Sequence, residues 1–156
     1  MQILDSTDFR VLRAMATDPR RTVVALAARL GISRNTVQAR LSGMEKKGAF
    51  LSFERRINAV ALGYPLMAFV HVHVQQQRLA EITADLSAIP EVIEAHGLTG
   101  AADLLLRIVA LDAEDLFRVN KAILSVPGVE RSDTTLAMGE LIPYRVAPLL
   151  ERGPAG

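Results

Sequence analysis

The segment from Thr22 to Gly48 constrains the fold more than any other part of this chain. Its apolar residues recur at helical spacing in two short blocks, and the turn Leu-Gly-Ile-Ser lies between them. Thr22 and Ser33 precede the two blocks, where a hydroxyl can accept a hydrogen bond from an N–H group of the first helical turn. Gly31 follows the first block, and glycine ends a helix readily because it adopts the left-handed conformation without steric cost. The segment therefore predicts two helices joined by a tight turn.

The second of these helices has an apolar stripe, Val37, Leu41 and Met44, and a separate polar face near its start. A polar face alone favours an ordinary helical hairpin. The short turn, the small Ala27 at the point of closest packing and the clustered hydrogen-bond donors favour a helix-turn-helix instead. In that motif arginine can pair with guanine, and asparagine or glutamine with adenine. The predicted DNA-binding residues are Arg21, Thr22, Ser33, Arg34, Asn35, Thr36, Gln38, Arg40 and Lys46.

Charge is distributed unevenly along the chain, although the formal net charge is only +1. Residues 1–60 carry eleven Lys/Arg and five Asp/Glu, which gives +6, whereas residues 61–156 carry seven and twelve, which gives −5. This asymmetry indicates that the first part alone meets a polyanion. Phosphate contacts position a protein on double-stranded DNA and make its affinity salt-dependent. The candidate phosphate neighbours are Arg20, Arg21, Arg29, Arg40, Lys46, Lys47, Arg55 and Arg56.

Composition excludes several other classes of protein. Half of the residues are hydrophobic but only 4% are aromatic, which predicts an aliphatic core. The chain has no cysteine, so it has neither disulfides nor thiolate chemistry. It lacks a run of eighteen uncharged apolar residues and a secretory signal at its start, MQILDSTDF. These features are typical of a cytoplasmic, nucleoid-associated protein without a membrane partner.

The head of the chain is predicted to contain three helices and a strand. Asp5 or Ser6 begins the first helix, and Asp18-Pro19 ends it. Residues 50–57 alternate in a way that predicts a strand leaving the head, which would make it a winged helix-turn-helix. The predicted division is a head at 1–49, a strand and linker at 50–64, a second domain at 65–146 and a flexible tail at 147–156.

The second domain alternates strand patterns with helix patterns, and its fold class is predicted to be α+β. A strand, LMAFVHVHV, precedes an amphipathic helix, RLAEITADLSAI, and two strands follow, VIEAHGL and DLLLRIVAL. A second helix, AEDLFRVNKAIL, leads to a last strand, SDTTLAMGELI. The order βαββαβ is that of the split βαβ or ferredoxin-like unit.

Taken in this order, the segments resemble the leucine-responsive/asparagine-regulator (Lrp/AsnC) family of transcription factors. The resemblance covers roughly residues 3–145. In the head it is carried by Leu4-Asp5, Asp8, Ala25-Leu26-Ala27, Leu30-Gly31-Ile32-Ser33, Thr36-Val37, Arg40-Leu41 and Glu45-Lys46-Lys47-Gly48. In the second domain it is carried by Thr99-Gly100, Asp103-Leu104-Leu105-Leu106 and Pro127-Gly128-Val129.

The resemblance implies a regulator that binds DNA as a homodimer, often assembles to tetramers or octamers, and responds to an amino acid or related metabolite. It implies that the second domain is a RAM/ACT-like domain, which makes the oligomer and holds the effector near the turn between its second and third strands. Free backbone N–H groups around Gly100 can take a carboxylate there, and Asp103 an ammonium. The alternative is a plain hairpin turn, and the small Ala101-Ala102, where relatives often carry a larger residue, leaves the effector's identity open. The predicted ligand-binding residues are Leu98, Thr99, Gly100, Ala101, Ala102, Asp103, Thr134 and Thr135.

Three histidines raise the question of an enzyme or a metal site. His71 and His73 share one face of a strand, and with His96 they could ligate a metal or haem-like iron. No acidic residue or cysteine stands at metal spacing beside the pair, so packing at a sheet face is favoured and no metal is predicted. Tetrapyrrole decarboxylases resemble the same family and give one alternative function, but an enzyme has no need of outward Arg34 and Asn35. We predict no catalytic residues and no cofactor other than the effector. A ligand-independent architectural DNA-binding protein is a further alternative.

Overall fold

The computed structural model describes residues 4–153, which form two compact units. The first unit contains the chain up to Arg55 and again from Ile142, and the second contains Arg56–Leu141. The helices are α1 (Ser6–Thr17), α2 (Val23–Leu30), α3 (Arg34–Lys46), α4 (Leu79–Ser87), α5 (Ala113–Leu124) and α6 (Ala147–Arg152). The strands are β1 (Leu66–Val74), β2 (Val92–Gly97), β3 (Leu104–Ala110) and β4 (Val129–Leu136).

The first unit contains the predicted three-helix head. Ala14 of α1, Leu26 and Ala27 of α2 and Val37 of α3 are buried against one another, so each helix contributes its apolar stripe to one core. The predicted boundaries are confirmed at α2 and α3, because the hydroxyls of their N-cap residues accept backbone N–H groups and the residue after α2 has a positive φ of 67°. The tight turn follows from these caps.

The predicted strand over residues 50–57 is wrong. Residues 53–56 form a single 3₁₀ turn, Phe53–Arg56, and a second 3₁₀ turn follows at Ala59–Leu62. Among residues 4–153 no strand pairs with this segment, and a strand that joins no sheet is not stable. The head is therefore a helix-turn-helix without a wing strand in the part of the chain that the structure describes.

Residues 147–152, predicted to lie in a flexible tail, form α6 in the first unit. The Arg13 guanidinium donates from Nε to the carbonyl oxygen of Leu150 at 2.7 Å and from Nη2 to that of Glu151 at 3.1 Å. These bonds satisfy carbonyls that the end of a helix leaves without an internal partner. A six-residue helix is too short to show a periodic pattern, and its partner is distant in sequence. Residues 154–156 of the predicted tail, like residues 1–3 of the predicted head, lie outside the described residues.

The second unit confirms the predicted βαββαβ order. Its four strands form one antiparallel sheet in the order β2-β3-β1-β4. The last strand begins at Val129 and ends at Leu136, rather than covering 132–142 as predicted, because its pairing with β1 runs only from Val74 to Ala68. The core lies between the sheet and α4 and α5.

The two faces of the sheet differ, and β1 shows this best. Ala68, Val70 and Val72 are fully buried in an aliphatic cluster with Ile82 of α4 and Ile123 of α5. The alternate residues of β1 point to the opposite face, because successive side chains of a strand alternate. That face, called the open face below, carries Met67, Phe69, His71 and His73 from β1. Among residues 4–153 no helix has the length and apolar character needed to cross a bilayer.

Candidate functional site

The start of α3 presents the polar side chains that the sequence predicted for DNA reading. Val37 and Met44 are 0% and 1% exposed and fix which side of α3 packs into the core. Arg34, Asn35 and Gln38 are exposed on the other side. Within residues 4–153 none of these three side chains makes a hydrogen bond or an ion pair, so their polar groups are available to a ligand.

Ser33 and Thr36, predicted as DNA contacts, are engaged in capping α3. The Ser33 Oγ accepts the Thr36 backbone N–H at 3.0 Å, and the two hydroxyl oxygens are 2.8 Å apart. The hydroxyls therefore satisfy the helix start first, and backbone N–H groups at the start of a helix favour a negatively charged partner such as phosphate. A direct contact from either hydroxyl stays a prediction.

Arg40 lies in an ion-pair cluster between α3 and α1. Its Nη1 bonds to the Asp5 carboxylate and lies 3.3 Å from the Asp8 Oδ1, while Lys47 Nζ lies 4.0 Å from the Asp8 Oδ2. Asp8 is only 2% exposed and also accepts the Asp5 backbone N–H at 3.1 Å. The pKa of Asp5 is lowered, first by the Asp8 backbone N–H and then by the Arg40 guanidinium, and the pKa of Arg40 is raised by the Asp5 carboxylate. Arg40 therefore links α3 to α1. Its contact with a DNA phosphate stays a prediction, and this contact would use the guanidinium N–H groups that do not bind Asp5 or Asp8.

The remaining predicted DNA contacts lie at the ends of α2 and α3. Arg21 pairs with Asp18 at 3.3 Å, and the Thr22 hydroxyl accepts the Ala25 backbone N–H at 3.2 Å. Lys46 is exposed in the last turn of α3. Lys46 is thus the most accessible cation of this group, and a role as a phosphate neighbour stays a prediction for all three.

A second candidate site is an open pocket of about 300 Å³ on the open face of the sheet. Its lining combines two histidines of β1, three residues of the turn between β2 and β3, and a charged pair of β4. The lining residues are His71, His73, Leu98, Ala101, Ala102, Arg131 and Asp133. The sequence predicted the three turn residues as ligand-binding, considered His71 and His73 only as possible metal or haem ligands, and missed Arg131 and Asp133. Alternation puts each pair on one face of its own strand, and the pairing of β1 with β4 brings the two pairs to the same face.

Asp103 does not line this pocket, in contrast to its predicted role as an ammonium partner. Its carboxylate accepts the Val74 backbone N–H at 2.9 Å and the Gln76 amide at 2.6 Å. The pKa of Asp103 is lowered by the Val74 N–H first, then by the Gln76 amide and the nearby His73. The Asp103 N–H and carbonyl also bond to the Val72 carbonyl and the Leu98 N–H. Asp103 therefore stabilises the turn between β2 and β3, because its carboxylate oxygens already accept hydrogen bonds from Val74 and Gln76.

Thr99 and Gly100 form the exposed tip of the same turn. Within residues 4–153 the backbone N–H groups of residues 99–102 donate to no other backbone group. They remain able to bind a carboxylate, as the sequence predicted for this turn.

Neither Thr134 nor Thr135, both predicted as ligand-binding, lines the pocket. They are adjacent on β4 and so point to opposite faces of the sheet. The Thr134 hydroxyl donates to the Asn120 Oδ1 of α5 at 2.9 Å, which places it on the helix-covered face. Thr135 is opposite Phe69, outside the pocket lining.

His96 is also on the open face but lies outside the pocket. Its Nε2 is 3.2 Å from the Glu94 Oε1. In the part of the chain that the structure describes, no three His, Asp or Glu side chains are placed to ligate one metal ion. The histidines are thus divided between a pocket and a surface pair.

The geometry defines a class of protein that joins a helix-turn-helix to a separate α+β domain with a small pocket that two histidines and a charged pair help to line. Comparison with known families gives the same division. Residues 4–45 match the AsnC-type helix-turn-helix domain, and residues 67–147 match the Lrp/AsnC ligand binding domain. The chain belongs to the Lrp/AsnC family, and it is a DNA-binding transcriptional regulator.

Individual relatives agree with this assignment along most of their length. An HTH-type transcriptional regulator of Pyrococcus horikoshii is 27% identical over 86% of this chain and 89% of its own. A proline dehydrogenase transcriptional activator of Rhizobium radiobacter is 33% identical over 86% and 89%. A solved transcriptional regulator of Neisseria meningitidis in complex with L-Met is 25% identical, covers 89% of this chain and 92% of its own, and has a TM-score of 0.78. These relatives are regulators, which leaves the tetrapyrrole decarboxylase alternative without support.

Proposed function

We propose that this regulator recognises a specific operator through α3 and changes its DNA affinity and assembly when an amino acid or related small metabolite binds to its second unit. The observation that carries the operator half is the exposure of Arg34, Asn35 and Gln38 without internal partners at the start of α3. Arg34 and Gln38 are four residues apart and share one side of the helix, with Asn35 beside them. Side chains of these types pair with guanine and adenine edges in the major groove.

The effector half of the proposal is supported by the pocket on the open face. About 300 Å³ lies at the small end of ligand pockets, which suits a metabolite of amino-acid size. The Neisseria meningitidis relative was solved with L-Met, and an amino acid is by extension the first ligand class to test for this chain.

A homodimer, with further assembly to tetramers or octamers, is part of the same proposal. Two copies related by a two-fold axis would present two α3 helices to half-sites separated by whole turns of DNA. Phe69 and Leu105 on the open face remain only half-buried and supply apolar surface that a second copy can cover.

Fluorescence anisotropy tests both halves in one titration series. Labelled DNA from upstream of the protein's own gene is compared with scrambled DNA of the same composition, each with and without a pool of the twenty amino acids. We expect sequence-preferring binding that shifts with the pool. Binding without sequence preference and without any response would support a ligand-independent architectural protein instead.

A further inference from the structure

The pocket on the open face joins side chains whose pairing is fixed by the register of the sheet. His71 stands opposite Asp133, and His73 stands opposite Arg131, in the antiparallel pairing of β1 with β4. Directly opposite residues of such a pair have their Cβ atoms about 5 Å apart. The two imidazoles, the guanidinium and the carboxylate therefore surround one small volume, with the turn residues Leu98, Ala101 and Ala102 at its edge.

Arg131 and Asp133 of β4 form an ion pair that uses only one of the two carboxylate oxygens. The Arg131 Nε and Nη2 both donate to the Asp133 Oδ2, at 3.2 and 2.8 Å. Within residues 4–153 the Asp133 Oδ1 has no hydrogen-bond partner, so one carboxylate oxygen can still accept an ammonium group. No second carboxylate lines the pocket, because the Asp103 side chain is turned toward Val74 and Gln76.

The remaining polar groups of the pocket suit an anion. A histidine ring always offers at least one N–H donor and offers two when protonated, so His71 and His73 supply two or more donors to the cavity. The backbone N–H groups of Ala101 and Ala102, which line the pocket and donate to no other backbone group within residues 4–153, add donors at the turn. A ligand with one ammonium and two carboxylates satisfies these groups. Its ammonium meets Asp133, one carboxylate meets the turn, and the other meets the imidazoles.

Other side-chain classes fit less well. A basic amino acid would bring a second cation to a pocket whose single carboxylate is already shared with Arg131. An aliphatic amino acid would offer neither imidazole a hydrogen-bond partner, and sites built to hydrogen-bond a ligand discriminate against analogues that lack the partner group.

We infer that the effector of this regulator is an acidic amino acid, bound on the open face with its side-chain carboxylate between His71 and His73. This inference rests on the proposed function, because it names the ligand class of the same effector site. Membership of the Lrp/AsnC family does not specify which residues select the ligand or which charge they select, and the inference names both.

Isothermal titration calorimetry of the full chain tests the ligand class with matched pairs of ligands. L-glutamate is compared with L-glutamine and L-aspartate with L-asparagine, and L-leucine, L-methionine and L-lysine complete the set. We expect one acidic amino acid to bind at least tenfold more tightly than its amide, the usual scale for a hydrogen bond to a charged group. Equal or tighter binding of an amide, leucine, methionine or lysine would overturn the inference.

Variants test the location. His71→Gln and His73→Gln keep a hydrogen-bonding side chain but remove the imidazole, and each is expected to weaken binding of the acidic ligand about tenfold or more, by a larger factor than it weakens binding of the amide. His96→Gln is the matched control, since His96 shares the face but lies outside the pocket. If neither pocket variant changes the affinity for the acidic ligand, the site is assigned wrongly.

The same ligands added to the DNA titration separate this inference from the proposed function. A neutral amino acid that shifts DNA affinity would overturn the acidic assignment and leave the proposed regulator intact. If no amino acid binds and none shifts DNA affinity, the effector half of the proposed function fails, and the acidic assignment fails with it.

Discussion

At the scale of single residues, Arg34 and Lys46 of α3 test the proposed separation of base reading from phosphate binding. Arg34→Ala removes an exposed side chain at the start of α3, and we expect it to relax specificity at one base position by about 1–3 kcal/mol. Lys46→Ala, in the last turn, should weaken binding to all sequences alike and lower the slope of log affinity against log salt by about one unit. Anisotropy against an operator with single base changes, at several salt concentrations, measures both effects. Equal loss on every sequence for Arg34→Ala would contradict its assignment as a base contact.

Gly128 is required by backbone conformation and by space. Its φ is +97°, and a Cβ atom there would lie 2.8 Å from the Ile82 Cδ1 of α4. We expect Gly128→Ala to lower the free energy of unfolding by about 2–4 kcal/mol, because the left-handed backbone and the overpacking each cost stability. Gly97→Ala is the control, since its Cβ would meet no atom within 4 Å and its φ is not positive. Urea denaturation of the two variants and the parent chain measures the difference.

At this scale the sequence predicted the exposed polar side of α3 better than the pocket. Helix periodicity and capping residues are local, so Arg34, Asn35 and Gln38 could be placed outward from the sequence alone. The pocket depends on strand register, which brings Arg131 and Asp133 beside the two histidines of β1 from sixty residues away. Alternation along each strand assigned the face, but no local pattern shows which strands are neighbours.

At the scale of elements, the buried Asp8 of α1 forms an ion pair with Arg40 of α3. Its side chain is 3% exposed and lies beside Arg40 of α3 and Lys47, the residue that follows α3. Asp8→Asn removes the charge that holds these cations, and we expect a loss of about 1–3 kcal/mol in the free energy of unfolding, with weaker DNA binding because α3 is less firmly placed. Chemical denaturation and anisotropy of the same variant measure the two effects.

The matched control for this cluster is Asp18→Asn. Asp18 pairs with Arg21 three residues away, and its side chain is 48% exposed. Exposed pairs of this kind contribute roughly 0–1 kcal/mol, so the control should change stability little. A loss at Asp18 as large as that at Asp8 would show that burial is not the reason for the effect.

The start of α1 carries a pH dependence with a defined sign. The pKa of Asp5 is lowered in the folded chain by the Asp8 backbone N–H and the Arg40 guanidinium. A lowered pKa means that the stabilisation is complete above the unfolded value of about 3.9 and is lost as the pH falls through the folded value. Asp5→Asn keeps a capping side chain but removes the titration. We therefore expect the stability difference between parent and variant, measured by urea denaturation, to shrink toward zero in acid.

Elements with local signals were predicted closely, and those without were not. The first strand, LMAFVHVHV, and the helix AEDLFRVNKAIL have the predicted ends, because alternation and helical periodicity are complete within each. Residues 50–57 alternate too, but no strand among residues 4–153 pairs with them, and residues 53–56 form a 3₁₀ turn instead. The helix at 147–152 depends on Arg13, far away in sequence, and no local pattern contains that partner.

At the scale of the whole molecule, the open face of the sheet is where we propose that a second copy of the chain packs. Phe69 is half-buried on this face, while α4 and α5 cover the other face of the sheet. Phe69→Asp places a charge where the proposed second copy would pack, so we expect the chain to sediment as a smaller species. The affinity for a two-half-site operator should fall about a hundredfold or more, because one head then binds without the second.

The control for assembly is the same substitution on the outer side of α5. Phe117 is 72% exposed there, and Phe117→Asp should leave both sedimentation and DNA affinity unchanged if the open face is the interface. Circular dichroism of both variants establishes that each chain is folded before the comparison. A reduced assembly with Phe117→Asp and a normal one with Phe69→Asp would move the interface to α5. In that case the open face, with the pocket beside His71, would not be covered by the second copy.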